Sequence, residues 1–161
     1  MSGFTFNIAK GRTIEYHARV VNNDPANSAL ILVVLAALAL ESDDVLQDYD
    51  TLSALLAGAS NEVTNASYAR KVLTNADLSA PTIDDTANTV TVFFPTQTFT
   101  TIGVGDSWKK LLVCYDSDTT GGTDANIVPM YGIDLLIQNT AVIPTGDDIV
   151  VAMPDGYAVA S

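Results

Sequence analysis

Charge, cysteine and histidine are all scarce in this sequence, and each scarcity removes a class of function. Only 16% of the 161 residues are charged, against the ~25% usual in a globular chain. Thr, Ser and Asn supply much of the polar remainder, a surface that solvates less strongly and suits a chain packed against neighbours. The single cysteine, Cys114, excludes an intrachain disulfide and a cysteine-based zinc cluster. It falls in an apolar run, where a thiol is ordinarily a small buried hydrophobe. The single histidine, His17, has no GxSxG-type elbow to serve, and a serine or cysteine nucleophile needs a histidine base that is itself held in place. Two such ligands are also too few for zinc.

Lys and Arg number 7 against 19 acidic residues, for a net charge of −12. The basic residues are dispersed, with no run longer than Arg70-Lys71 or Lys109-Lys110. The basic stripe that nucleic acid or an anionic membrane would require is therefore lacking, and neither is expected as a partner. Long apolar runs are missing too. Ala29–Leu40 is twelve residues, short of the ~20 that span a bilayer as a helix. No basic segment leads into an apolar run at the amino terminus, so no signal peptide is expected. Gly103-Val104-Gly105 precedes Asp106 without a Lys-Ser/Thr, which makes it a turn and not a phosphate loop.

What the chain does contain is strand-forming sequence. A length of 161 residues predicts one domain. The stretch Thr89–Asp116 holds strand candidates at Thr89–Phe94 and Leu111–Tyr115 and five of the twelve aromatics, and is expected to form a central antiparallel pair. Earlier in the chain, Phe4 and Phe6 alternate in a short lead, residues 1–7, which reads as a brief strand or an arm. The spacing of Ile14, Ala18 and Val21 predicts a helix over Lys10–Asn22, ended before Pro25. Ser28–Ala37 has no alternation and fits a strand buried on both faces, although its alanines would also allow a buried helix. Ser42 or Asp43 can cap a second helix running through Val45, Tyr49, Leu52 and Leu56 to Gly58.

Tyr68–Thr74 alternates as a half-exposed strand, and Phe99–Val104 reads as another short one. Ile127–Ile137 is a strand interrupted by Pro129 and Gly132, hence an edge or bulged one. Asp148–Met153 and Tyr157–Ala160 flank a Pro-Asp-Gly turn and predict a closing hairpin. The expected class is α+β: mainly antiparallel β, a sandwich-like sheet of six to eight strands, with two helices in the N-terminal half.

Few residues invite chemistry. Asp116, Asp118 and Asp124 flank Gly121-Gly122, and alternating oxygen donors on a glycine-bearing loop are what calcium favours. The EF-hand glycine and glutamate are missing, and the same residues are good turn formers. Asp84-Asp85 and Asp147-Asp148 are pairs in turns and read as surface acids. Trp108 is either an interface anchor or a core residue. Phe4, Phe6, Pro129, Tyr131 and Trp108 are the candidate contact residues, with the lead and the Ile127–Ile137 strand as contact segments. No cofactor is expected.

Five segments together carry a resemblance. Glu62–Thr74, EVTNASYARKVLT, together with YDTLSALLA at Tyr49–Ala57, WKKLLVCYD at Trp108–Asp116, the pattern of Pro129–Asp134, and Gly156-Tyr157-Ala158, resembles small structural proteins from the virion modules of tailed bacteriophages. The resemblance implies a non-catalytic virion component, a head-decoration or cement protein that binds the major capsid protein and itself, for which a trimer is the expected assembly. A tail, collar or fibre-associated component that contacts host glycans is the alternative. It implies location in the virion and assigns no functional residue, beyond a strand-holding role for Tyr68 and Arg70. The acidic charge keeps such a chain soluble, and unpaired strand edges can link copies.

Overall fold

The apolar run at Ala29–Ala36 is a strand whose eight residues are all buried, and the fold is laid out on both sides of it. In a computed structural model describing residues 3–152 and 156–160, the elements in chain order are β1 (Gly3–Thr5), a 3-10 turn (Asn7–Ala9), α1 (Thr13–Val21), β2 (Ala29–Ala36), α2 (Asp43–Leu46), α3 (Leu52–Leu56), β3 (Lys71–Leu73), β4 (Thr82–Asp84), β5 (Thr89–Val92), β6 (Gln97–Phe99), β7 (Trp108–Asp116), β8 (Val128–Asp134), β9 (Leu136–Ile137), β10 (Thr140–Ala141), β11 (Ile149–Val151) and β12 (Ala158–Ala160). The chain is α+β, with its helices in the N-terminal part and its strands paired antiparallel.

The main sheet has the order β1-β8-β7-β2-β3. Strand side chains alternate between faces, so β2 feeds two cores at once. Leu30, Leu32, Val34 and Ala36 join Leu111, Val113 and Tyr115 of β7 on one face, where α1 and the smaller sheets supply Tyr16, Val20, Val92, Phe94, Phe99, Val151 and Tyr157. Ala29, Ile31, Val33 and Leu35 join Leu112 and Cys114 on the other, beneath Phe6, Leu46, Leu52, Leu55 and Ile127. Burying each of the larger of these side chains contributes about 1.5–3 kcal/mol. The remaining strands form a three-stranded sheet, β12-β5-β4, and two ribbons, β11-β6 and β10-β9.

Several sequence expectations are corrected by this arrangement. The central pair is β2–β7, not Thr89–Phe94 with Leu111–Tyr115; β5 lies in the three-stranded sheet. The helix expected from Ser42 to Gly58 is two short ones. Thr51 breaks it by adopting an extended backbone and accepting a hydrogen bond from Ala54 N (3.1 Å), a cap that starts α3 afresh. The first-turn N–H groups of Leu52 and Ser53, which have no partner within the helix, donate to the carbonyls of Ile127 and Asp124 (2.9 and 3.0 Å), tying the loop before β8 to the helix. In α1 the buried face is Thr13, Tyr16, His17 and Val20. Ile14 and Val21 flank it, because the large Tyr16 ring takes the centre by stacking on Tyr115 at 4.5 Å.

The ends of the chain also differ from expectation. Of the two readings of the lead, the brief strand holds and the free arm does not: β1 pairs with β8, with Phe4 opposite Gly132, and Phe6 is fully buried. β8 is consequently interior, not an edge, although the expected bulge is there as a register shift at Val113/Cys114 opposite Tyr131 and Pro129. β11 and β12 do not form a hairpin with each other; they pair with β6 and β5. Met153 and most of the Pro154-Asp155-Gly156 turn lie outside the described residues.

Candidate interaction surface

The residues expected at an interface are for the most part inside the protein. Phe6, Pro129 and Trp108 are buried, and Phe4 and Tyr131 are half-buried. Trp108 donates its indole N–H to Asn65 Oδ1 (3.0 Å) and meets Phe99 edge-to-face at 5.0 Å. A tryptophan with its polar atom satisfied and its ring enclosed is a core plug. Asn65 completes the site by donating to the carbonyls of Gly103 and Asp106. Phe4 lies over Gly132 and the Lys110 ammonium, 5.0 Å from the ring centre. Tyr131 lines a small crevice with Thr5, Gly156, Tyr157 and Ala158.

The calcium candidates are not brought together. Asp116 accepts from the Asp118 backbone N–H (3.0 Å), and Asp118 accepts from the N–H and hydroxyl of Thr120. Asp124 turns away to Arg70, whose two terminal nitrogens reach both its oxygens at 2.6 and 2.9 Å. Among the described residues no three His, Cys, Asp or Glu side chains converge as a metal site.

That guanidinium also holds Glu62, at 2.6 Å, and Glu62 accepts from the Tyr68 hydroxyl (2.9 Å), which in turn accepts from Val34 N (3.0 Å). The network joins β3, β2 and the loop before β8. The two carboxylates drive the Arg70 pKa up, hydrogen-bonded Arg70 holds the Asp124 carboxyl below its usual range, and burial pushes the Tyr68 phenol up. This is a brace between β2, the chain entering β3 and the loop before β8.

His17 and Cys114 are enclosed as well. The Ser79 carbonyl can only accept, so His17 Nε2 carries the proton and donates to it (2.8 Å), leaving Nδ1 to accept from the Tyr157 hydroxyl (3.0 Å). Burial lowers the His17 pKa and raises those of Tyr157 and Cys114. With both ring nitrogens occupied and the residue inaccessible, His17 is a packing group joining α1 to the C-terminal segment.

The surface that does stand open lies where the chain leaves the main sheet. After Asp134 the chain turns out into the β9–β10 hairpin, through Gln138 and Asn139, both at positive φ (50° and 64°), the two-residue reversal that matches strand twist. It returns to bond Val142 with Trp108 in both directions (2.7 and 2.8 Å). Between this hairpin and β11 is a cleft of about 390 Å³, walled by Leu136, Ile137, Val142, Ile143, Ile149 and Val150. Ile137, Ile143 and Val150 are 63%, 65% and 60% exposed, and gathered in one cleft they form a patch that water solvates poorly.

Ile137 ends the expected contact segment Ile127–Ile137, whereas Ile143 and Val150 carry no such signal in the sequence. The apolar runs that hold the three, Leu135–Ile137, Ala141–Pro144 and Ile149–Val151, are visible in the sequence, but nothing local says that they face outward. Comparison with known proteins adds no assignment: no family model, curated protein or solved structure matches the chain.

Proposed function

We propose that this chain is a non-catalytic structural protein of a tailed-bacteriophage virion, one that binds and stabilises the capsid shell as a decoration protein. The observation that carries the reading is the apolar cleft of Ile137, Ile143 and Val150, set between strand edges on an otherwise acidic and well-buried fold. A decoration protein binds a repeated lattice by shape through modest contacts, and an edge-lined apolar cleft supplies such a contact. The virion resemblance of Tyr49–Ala57, Glu62–Thr74 and Trp108–Asp116 supports the same reading. Self-association belongs to the proposal, and the open edge of β4, where Ile83 is 69% exposed, is available for it. Glycan binding, the alternative, needs an exposed ring to stack on; of Trp108 and Tyr131, the first is buried and the second half-buried.

Purified particles test the proposal. Labelled-antibody electron microscopy and quantitative mass spectrometry are expected to find this chain spread over the shell, in copy numbers comparable to the major capsid protein. A few copies confined to one vertex would move it to the collar or tail. Absence from particles would end the virion reading.

A further inference from the structure

Two properties of the cleft narrow what can occupy it. Each wall includes a strand with a single neighbour: among the described residues β11 pairs only with β6 and β9 only with β10. An unpaired edge presents backbone donors and acceptors that another extended backbone can complete. The second property is charge. Asp147 and Asp148 line the cleft, and no basic residue does. Asp147 Oδ2 accepts from the Thr145 hydroxyl (2.7 Å) and Asp148 Oδ1 from the Thr101 N–H (2.8 Å). Each leaves its other oxygen without a side-chain or backbone partner among the described residues. Apolar walls beside two carboxylates complement a segment that is apolar on one face and basic at one end. A second copy of this chain, at −12, would bring more negative charge to the same place.

We infer that the cleft between the β9–β10 hairpin and β11 captures, by strand addition, an extended apolar segment of a different protein that carries Lys or Arg beside Asp147 and Asp148. This rests on the reading of the chain as a shell-binding protein, where the segment belongs to a shell subunit, and it adds the chemistry of recognition. Backbone pairing supplies register, Ile137, Ile143 and Val150 receive alternate side chains, and the aspartates select for positive charge.

The probe is the peptide Lys-Val-Thr-Val-Thr-Val-Lys, titrated into the isolated full-length chain with backbone amide shifts as the readout. Saturable shifts are expected at residues 136–152, weakening as salt is raised. Replacing the peptide's lysines with glutamates should weaken binding roughly tenfold, and N-methylation at alternate residues should abolish it. Val150→Asp should also abolish it while amides of β2 and β7 keep their positions, because Val150 is exposed and its replacement opens no cavity. Absence of shifts in the cleft, or equal binding of the glutamate or N-methylated peptide, overturns the inference. So does self-association by sedimentation that Val150→Asp eliminates, which would give the cleft to a second copy. The assay uses no particles, so a chain missing from virions would remove the proposed function and leave this result standing.

Discussion

His17 shows how a single buried group writes a pH dependence into the fold. Its ring is neutral and both nitrogens are occupied, by Ser79 and Tyr157, and burial holds its folded pKa below the ordinary value of about 6.5. The unfolded chain therefore takes up the proton first. The stability that His17 contributes is complete above about pH 6.5 and is lost as pH falls toward the folded value. Urea midpoints are expected to drop between about pH 7.5 and about pH 5.5, and His17→Gln, whose amide can make both bonds without titrating, should flatten that slope. An unchanged slope in the variant would show that other groups set it. Arg70 acts in a different window. The Asp124 carboxyl that it holds low is protonated only in stronger acid, so that contribution is lost below the ordinary carboxylate range of about 4. Arg70→Ala should cost about 1–3 kcal/mol at neutral pH in denaturant titrations, since it strands Glu62 and Asp124, and Arg70→Lys should recover only part, lacking the bidentate fork.

At the level of elements, β1 depends on a glycine. Phe4 stands opposite Gly132, and a Cβ at position 132 would lie 2.6 Å from the Phe4 ring, a contact that no real Cβ makes. Gly132→Ala is expected to push the ring off β8 and loosen β1, seen as faster amide exchange at residues 3–5 with β2 and β7 still protected. Retained protection at β1 would mean that the ring relocates without disturbing the pairing. Some elements were legible beforehand for plain reasons. β2 is an unbroken apolar run because both of its faces are covered, and β7 reads as a strand from Leu111 to Tyr115 for the same cause. The second helix was misjudged because Thr51, a residue neutral in composition, caps a new turn instead of continuing the old one. The pairing of β11 and β12 was misjudged because turn residues announce that the chain reverses, not which strand it meets; β6 and β5 lie some fifty or more residues away in sequence.

For the molecule as a whole, most of the residues expected at contacts lie in the core. Aromatics such as Phe6 and Trp108 are equally suited to cores and contacts, and here the core claims them. Small β-branched residues at the cleft give no local sign of facing solvent. The same burial changes the meaning of an N-terminal truncation. Deleting residues 1–7 removes β1 and the fully buried Phe6, along with the bonds from Phe6 N to Met130 O and Asn7 N to Gln47 O (3.0 and 2.8 Å). It should lower stability by about 3–5 kcal/mol, the scale of emptying a phenylalanine site, measured by chemical denaturation. A truncated chain of unchanged stability would restore the lead to the status of a free arm.

The union of β2 with β7 also sets a timetable. During synthesis the eight apolar residues Ala29–Ala36 leave the ribosome roughly seventy residues ahead of Trp108–Asp116, the strand that will lie along them for their full length. At about 5–20 residues per second that is an interval of several seconds, in which this apolar segment lacks the one neighbour that covers its full length. Its safekeeping in that interval falls to what the growing chain offers first, α1 made before it and α2, α3 and β3 made after it, or to the chaperones of the cell that makes it.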